Sequence, residues 1–429
     1  MTALKKLFSP YRELPKEIYV IFISRVINAM GCFVMPLLTI ILTEKVGLSS
    51  ETAGLYLSLA GVVFLPASLL GGKLADTVGR KKIIIIFDTL AAIFYIICGF
   101  VKPSMTIGYL ILVAGACMAI ATPGHDSLMA DLTNPKNRSG AYSLSYMGHN
   151  LGFAVGPVIG GILYKNHLPL VFIGDAATAL IALALVAFMI KETIHKTKEK
   201  ITDESRALER QVEGSIFSVL LKRPILIYIA IIVFIYNFAY AQWSFMLPMQ
   251  LMGLFKDDGA KLFGMVAGLN GLTVVLFTPV ITKVAENVKH IRRMVYGGLL
   301  YALGLGLFSF VTTMPMFFLG AYIFTLGEII NAISLTPFIA NHTPASHRGR
   351  MSSVIPILWG MGHTLSPLVM GKVLMHTTVQ RGWMMLVVLL IAASYMMYMT
   401  EKYDEKSSTR VQEAGTGPST RLTAEKFTP

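Results

Sequence analysis

The chain has 429 residues, 54% hydrophobic and only 14% charged, with a mean hydropathy of +0.64. Soluble domains carry about 25% charged residues, so most of this chain is built for lipid rather than water. A net charge of +13 would suit a nucleic-acid binder, but the bases gather in alternate loops between apolar runs, the distribution that sets membrane topology.

The first residues, Met1 to Lys16, are polar and basic and hold no apolar core of their own, so no signal peptide is expected. Twelve apolar spans follow: Ile18–Leu42, Thr52–Leu70, Ile83–Val101, Met105–Gly124, Tyr142–Tyr164, Leu168–Ile190, Ile225–Leu247, Leu262–Ile281, Met294–Val311, Met316–Ile339, Ser352–Met375 and Trp383–Met399. Each is close to the roughly 20 residues a helix needs to cross a bilayer. Loops on one side carry Lys5, Lys6, Arg12 and Lys16, then Lys73 to Lys82, Lys136 and Arg138, the stretch Lys191–Arg223, Lys283, Lys289, Arg292 and Arg293, and finally Arg348 and Arg350. Loops on the other side carry only residues such as Lys45, Lys102, Lys165 and Arg381. Bases stay inside, which puts both termini in the cytoplasm. Residues 1–190 thus read as a six-helix bundle, 191–223 as a charged, helix-forming linker, 224–400 as a second six-helix bundle, and 401–429 as a disordered tail rich in Ser, Thr and Gly. Cys32, Cys98 and Cys117 all fall inside apolar runs, which reads as packing rather than disulfides or metal ligation.

The hairpin between the second and third spans holds Gly72, Asp76, Gly79, Arg80 and Lys81. Glycine permits a tight turn and close helix approach, and an acid among bases suits a clamp on a helix N-terminus or an arginine. These residues resemble the loop signature of the major facilitator superfamily, with Thr77 standing where a basic residue is usual. The plain alternative is a basic loop that only sets topology.

The two halves repeat. The offset 286 − 76 = 210 lays Lys73, Leu74, Ala75 and Asp76 on Lys283, Val284, Ala285 and Glu286. It also lays Gly54 on Gly264, Gly61 on Gly271, Arg138 on Arg348, Gly152 on Gly362, Pro157 on Pro367 and Gly161 on Gly371. Parallel six-span repeats with a substrate site between them near mid-membrane are the facilitator architecture. The second hairpin is degraded, with Lys289 for the glycine and His290 for the arginine.

In the fifth span, Gly152, Gly156, Pro157, Gly160 and Gly161 make a flat face for close packing in lipid, with a proline to bend the helix. A packing face is the bland reading. The spacing also resembles a signature of proton-coupled antiporters in the same superfamily, which implies export. Arg25 and Asp126 lie within spans, where a charge costs roughly 3 kcal/mol and so marks a partner or a function. In the resembling fold, spans one, four, seven and ten line the cavity. Arg25 and Asp126 are therefore expected to face each other there, either as a static ion pair or as working charges, with Asn28 and His125 beside them. Glu328, mid-way along the tenth span, is the expected proton carrier, against the alternative of a hydrogen-bonded packing group; Asn331 shares its stretch. Asp88 reads as a gate or packing charge and Asp175 as structural. Tyr236, Asn237, Tyr240 and Gln242 in the seventh span suit an amphipathic ligand or an interfacial aromatic belt. The segment Ile107–Ile120 of the fourth span carries no charge, although an arginine is usual there in proton antiporters of the resembling superfamily.

The expectation is an all-α membrane protein of two six-helix bundles that exports lipophilic or amphipathic compounds against protons by alternating access. It needs no cofactor, binds no nucleic acid, sits as a monomer in the cell's inner membrane, and shows no nucleotide loop, metal cluster or nucleophile constellation that would make it an enzyme. Asp76, Arg80 and Arg138 would hold the inner gate. A symporter or facilitator for a polar metabolite, a lipid flippase and a transport-dead sensor are the alternatives.

Overall fold

A computed structural model describes residues 14–133, 137–194, 224–285, 287–342 and 348–415. Twelve helical passes lie among them. The first is broken into Lys16–Met30 and Val34–Ile40, continued by a π turn, Ile41–Lys45. The second to fourth are Ser50–Thr77, Arg80–Phe100 and Met105–Asp131. The fifth is broken into Arg138–Phe153 and Gly156–Tyr164, and the sixth is Leu168–Met189. The seventh is broken into Pro224–Tyr240 and Gln242–Phe255. The remainder are Gly259–Val284, His290–Leu307, Met314–His342, Arg348–His376 and Val379–Gly415. Eight segments among the described residues are long and apolar enough to cross a membrane, and one of these, Ile227–Val284, contains two passes. The fifth and ninth spans fall short because polar residues interrupt them, including His149 and Asn150, or Arg292 and Arg293.

The breaks have local causes. At Gly31 the first helix lets go, and the freed N–H groups of Phe33 and Val34 donate to Asp175 Oδ2 of the sixth span at 3.1 and 3.0 Å. Asp175 is a cap for a half-helix inside the membrane, where an unsatisfied N–H is costly. The seventh span breaks at Ala241, which is 31 + 210, so the repeat extends to the kink. Pro157 sits at the start of the second piece of the fifth helix, where its missing N–H is not needed.

Two expectations need correction. The second hairpin is not simply degraded: Arg293, one turn beyond His290, is 9% exposed and its Nε donates to Val288 O at 2.7 Å. The buried arginine has moved by one turn. The chain after residue 400 is not a tail from its first residue either, because the twelfth helix runs on to Gly415. Glu401 is 1% exposed and pairs with Arg292 Nε at 2.9 Å, tying the twelfth span to the ninth. Residues 416–429 and the linker's 195–223 lie outside the described residues.

The first six spans pack as one bundle and the last six as another. The end bearing the 72–82 hairpin is called the basic end here, and the opposite one the far end. One apolar cluster joins Leu37, Ile40 and Tyr164 of the first bundle to Phe245, Leu251 and Phe263 of the second, all at the far end. At the basic end the first bundle has a separate cluster of its own, with Ile18, Ile84, Leu128 and Val186. The bundles are thus fused at the far end and parted at the basic end.

Candidate functional site

The far-end seam shows the repeat as geometry. A methyl on Gly54 would collide with Pro367 O, and one on Gly264 with Pro157 O, the same contact after adding 210 to Gly54 and Pro157. A methyl on Gly371 would meet Ser50 O at 2.6 Å, and one on Gly161 would meet Ala260 O at 2.5 Å. Only glycine allows backbones this close. Hydrogen bonds join the bundles here too: Thr39 Oγ1 to Ser244 O at 2.6 Å and Ser58 Oγ to Thr364 O at 2.6 Å. At the rim, Lys165 Nζ meets Asp257 Oδ2 at 2.9 Å, an exposed pair worth little on its own. The other fifth-span glycines face the first span: Gly156 lies against Ala29 O and Gly160 against Phe33 Cβ, at 2.5 and 3.0 Å for an added methyl, with Gly152 against Val26 O.

At the basic end the hairpin forms a clasp within the first bundle. Gly79 has φ +127°, a conformation only glycine adopts freely, and it turns the second span into the third. Arg80, 6% exposed, reaches Asp76 Oδ1 at 3.1 Å, Asp131 Oδ2 at 3.2 Å and Ala75 O at 3.2 Å. The N–H groups of Arg80 and Lys82 donate to the two oxygens of Glu192, at 3.0 and 3.3 Å. Glu192 therefore caps the third span and favours its N-terminal dipole. Partial burial opposes its charge, but the N–H groups of Thr193, Ile194, Lys82 and Lys81 outweigh that and hold its carboxyl below the usual value. Gly72 sits loosely, 3.9 Å from Pro123 for an added methyl. Asp76 is 69% exposed on the opened side. The side chain of Arg138 lies outside the described residues. Sequence reasoning missed Glu192 and Asp131 because both sit at span ends, where acids look like ordinary loop charges.

Between the first, fourth, fifth and sixth spans lies a cavity of about 290 Å³. Arg25, Asn28, His125 and Asp126 line it together with Tyr146 and His149, whereas none of its lining residues comes from the seventh or tenth span, which were expected to share the cavity. Ile21, Leu128, Met129 and Val186 form its apolar part. Arg25 and Asp126 share the wall, but no ion pair joins them among the described residues. His125 Nε2 is instead held by Asp88 Oδ2 of the third span at 2.8 Å.

Glu328 stands in the second bundle. Its Oε1 accepts from Tyr240 OH at 3.1 Å and its Oε2 from Asn270 Nδ2 at 2.7 Å. Asn270 also reaches Thr325 Oγ1 at 2.9 Å. A stack of Trp243, Phe324, Tyr301 and Tyr240 walls the group, with centroids 4.7–5.5 Å from Phe324. Asn270, a lone amide in the eighth span, was legible as a polar intramembrane group but was not singled out.

The other seventh-span candidates turn inward. Tyr236 is 4% exposed and bonds Met294 O and Ser394 Oγ at 3.2 and 3.1 Å. Gln242 is fully buried and donates to Ser366 Oγ. Asn237 bonds its own helix at Val233 O, 2.9 Å away. Asn331 points at the ninth span, where a methyl on Gly297 would meet its Oδ1 at 2.5 Å. Tyr236 and Gln242 are spent on helix–helix contacts of the second bundle, Asn237 bonds within its own helix, and none of the four lines the cavity of the first bundle.

Two repeated helical bundles, sealed together at one end and open onto a charged cavity at the other, define a membrane carrier. Sequence comparison agrees. The model of the Major Facilitator Superfamily matches residues 21–367 and again 259–424, and the chain belongs to that family. It is 23% identical over 407 residues to a Na(+), Li(+), K(+)/H(+) antiporter of Planococcus maritimus, covering 89% of this chain and 94% of that one. It is 26% identical over 372 residues to the multidrug resistance protein MdtH of Edwardsiella ictaluri (strain 93-146), covering 85% and 86%. Among solved structures, a POT family transporter in complex with a thioalcohol-conjugated peptide superposes with a TM-score of 0.75 at 14% identity, over 92% of this chain and 97% of that one.

Proposed function

We propose that this facilitator is a proton-coupled exporter of small amphipathic compounds, with both termini and the basic end in the cytoplasm of a cell whose plasma membrane it spans. The observation that carries the reading is Glu328. It is an ionisable group deep in the membrane, held by two neutral donors from other helices. An intramembrane carboxylate is a functional site by default, and one that gains and loses a proton as the bundles rock couples transport to the gradient. The glycine face of the fifth span and the antiporter name of the Planococcus relative support proton exchange over uptake, and the name of the multidrug resistance relative fits a drug-like cargo. The structure then represents the state open to the cytoplasm, in which the Asp76–Arg80–Asp131–Glu192 clasp stays within its own bundle.

A second reading, exchange of an alkali cation for protons, has the Planococcus relative and the open carboxylate of Asp126 in its favour. Arg25 in the same cavity opposes a bare cation there. Inverted vesicles carrying the full chain separate the two. A proton gradient should drive uptake of amphipathic organic compounds and leave Na(+) and K(+) unmoved; the reverse result selects the second reading. Glu328→Gln keeps an oxygen for Tyr240 or Asn270 but cannot ionise, so it should abolish gradient-driven flux while the protein still inserts and binds. Unchanged gradient-driven flux in that variant rejects Glu328 as the coupling group.

A further inference from the structure

The cavity of the first bundle contains two opposite charges that do not meet. Arg25 and Asp126 both line it, and neither makes an ion pair within 4 Å among the described residues. The other charged or titratable groups nearby are accounted for. His125 is engaged by Asp88, and His149 lies within electrostatic reach of Arg25 without a carboxylate of its own. Arg25 is half-buried and Asp126 exposed, and two opposite charges in one small space would ordinarily close on each other. The helices hold them apart in depth. Arg25 is nine residues from the start of its helix at Lys16, and Asp126 is five from the basic end of its own at Asp131. Counted from the basic end of its own helix, the arginine sits four residues further in than the aspartate, roughly 6 Å at 1.5 Å per residue.

We propose that this pair is a substrate clamp for a small zwitterion whose two charges sit at opposite ends of an apolar body. Arg25 takes the carboxylate in its planar fork, and Asp126 takes the ammonium nearer the cytoplasmic mouth. The apolar body lies against Ile21, Leu128, Met129 and Val186. The polar tips of Asn28 and Tyr146 stand near the deeper end. A cavity of about 290 Å³ holds a ligand at the small end of the usual range. This rests on the transporter reading and names the chemistry of its cargo.

The test uses the purified full-length protein in detergent, with no gradient, and four compounds on one scaffold. They are 4-(aminomethyl)phenylacetic acid, its methyl ester, its N-acetyl derivative and the doubly blocked form. The zwitterion should bind at least tenfold more tightly than any of the other three. Phenylalanine, an isomer with both charges on one carbon, should bind as weakly as the singly charged forms. Arg25→Gln should erase the preference of acid over ester, and Asp126→Asn the preference of free amine over N-acetyl. Arg25→Lys keeps the charge and should retain part of the first preference, which also shows that the site tolerates substitution. Equal binding of the ester or of phenylalanine, or no binding of any compound by the wild type, overturns the proposal. Failure here leaves gradient-driven flux through Glu328 standing, whereas unaltered flux in Glu328→Gln strikes the coupling and leaves this binding order intact.

Discussion

Gly264→Ala is the sharpest test of how the bundles are held. The added methyl would collide with Pro157 O and lie 2.8 Å from Pro157 C and 3.1 Å from Val158 Cα. All three are backbone atoms of a helix, so no side chain can rotate away, and the eighth span must lift off the fifth. Overpacking of this kind costs about 1–3 kcal/mol. The cost falls only on the arrangement in which the far end is sealed, because the contact vanishes when the seam opens. With about 2 kcal/mol on one side of a two-state equilibrium, and a factor of ten for each 1.4 kcal/mol, the far-end-open state gains roughly 25-fold. Gly54→Ala, the repeat-related change against Pro367, should do the same, and the two should add because the sites share no partner. Spin labels at His167 and Asp258, flanking the Lys165–Asp257 pair on either side of the seam, report the opening when Cys32, Cys98 and Cys117 are replaced. Double electron–electron resonance should show a new, longer distance in Gly264→Ala and a larger share of it in the double variant. Gly115→Ala, where nothing lies within 4 Å of the new methyl, is the control. A folded Gly264→Ala protein with the wild-type distance distribution would refute the idea that this backbone contact seals the far end.

Two further predictions concern the clasp. Gly79→Ala places a side chain at φ +127° and sets its methyl 2.5 Å from Glu192 Oε2; strain alone is worth roughly 1–3 kcal/mol. The melting midpoint in detergent should fall, whereas Gly72→Ala, whose methyl has only Pro123 Cβ nearby at 3.9 Å, should melt as the wild type does. Glu192 gives a pH dependence of known sign. Its carboxyl is held below its ordinary value near 4.5 in the folded protein, so it stabilises above that pH and the contribution fades as pH falls through the lower, folded value. Melting midpoints should drop more steeply between pH 6 and pH 4 in the wild type than in Glu192→Gln, and parallel curves would count against the cap.

Much of the architecture was open to reading because a bilayer forces it. Span length, basic loops and a constant offset of 210 specify twelve passes in two bundles without any packing detail. The 72–82 hairpin was legible for a similar reason: the turn at Gly79 and the arginine at 80 are local chemistry. What sequence could not supply was the direction of a side chain around its helix. Tyr236 and Glu328 are both polar groups in apolar runs, yet Tyr236 reaches a backbone carbonyl and the Ser394 hydroxyl, while Glu328 is reached by Tyr240 and Asn270 from two other spans. Which neighbours a side chain meets depends on its rotation about the helix axis, which the sequence does not carry. Nor could sequence show that Arg25 and Asp126 share a wall without touching, since their separation depends on the relative depth of two helices. The break in the first span was hidden for the same reason, as Asp175 becomes a cap only once the sixth span lies beside Gly31.

The repeat then makes an argument about division of labour. Both bundles contribute equivalent glycines and carbonyls to the far-end seam, so the seal is symmetric and either half can swing from it. Away from the seam the symmetry is gone. The first bundle keeps the full clasp at Gly79 and Arg80 and a cavity with open charges. In the second, the corresponding buried arginine has slipped one turn to Arg293, and Glu328 is held by Asn270 and Tyr240, whose ring belongs to a four-ring stack. A carboxyl held by two donors suits a proton, which needs no room, and an open cavity suits a cargo, which does. Tyr146, which lines the cavity, stands on the fifth span, and that span packs against the eighth, from which Asn270 holds Glu328. If protonation and cargo binding are coupled across the bundle interface, the contact of the fifth and eighth spans is the place where that coupling passes. Tyr146→Phe, which removes only the hydroxyl, should loosen the link between flux and gradient while leaving both sites in place.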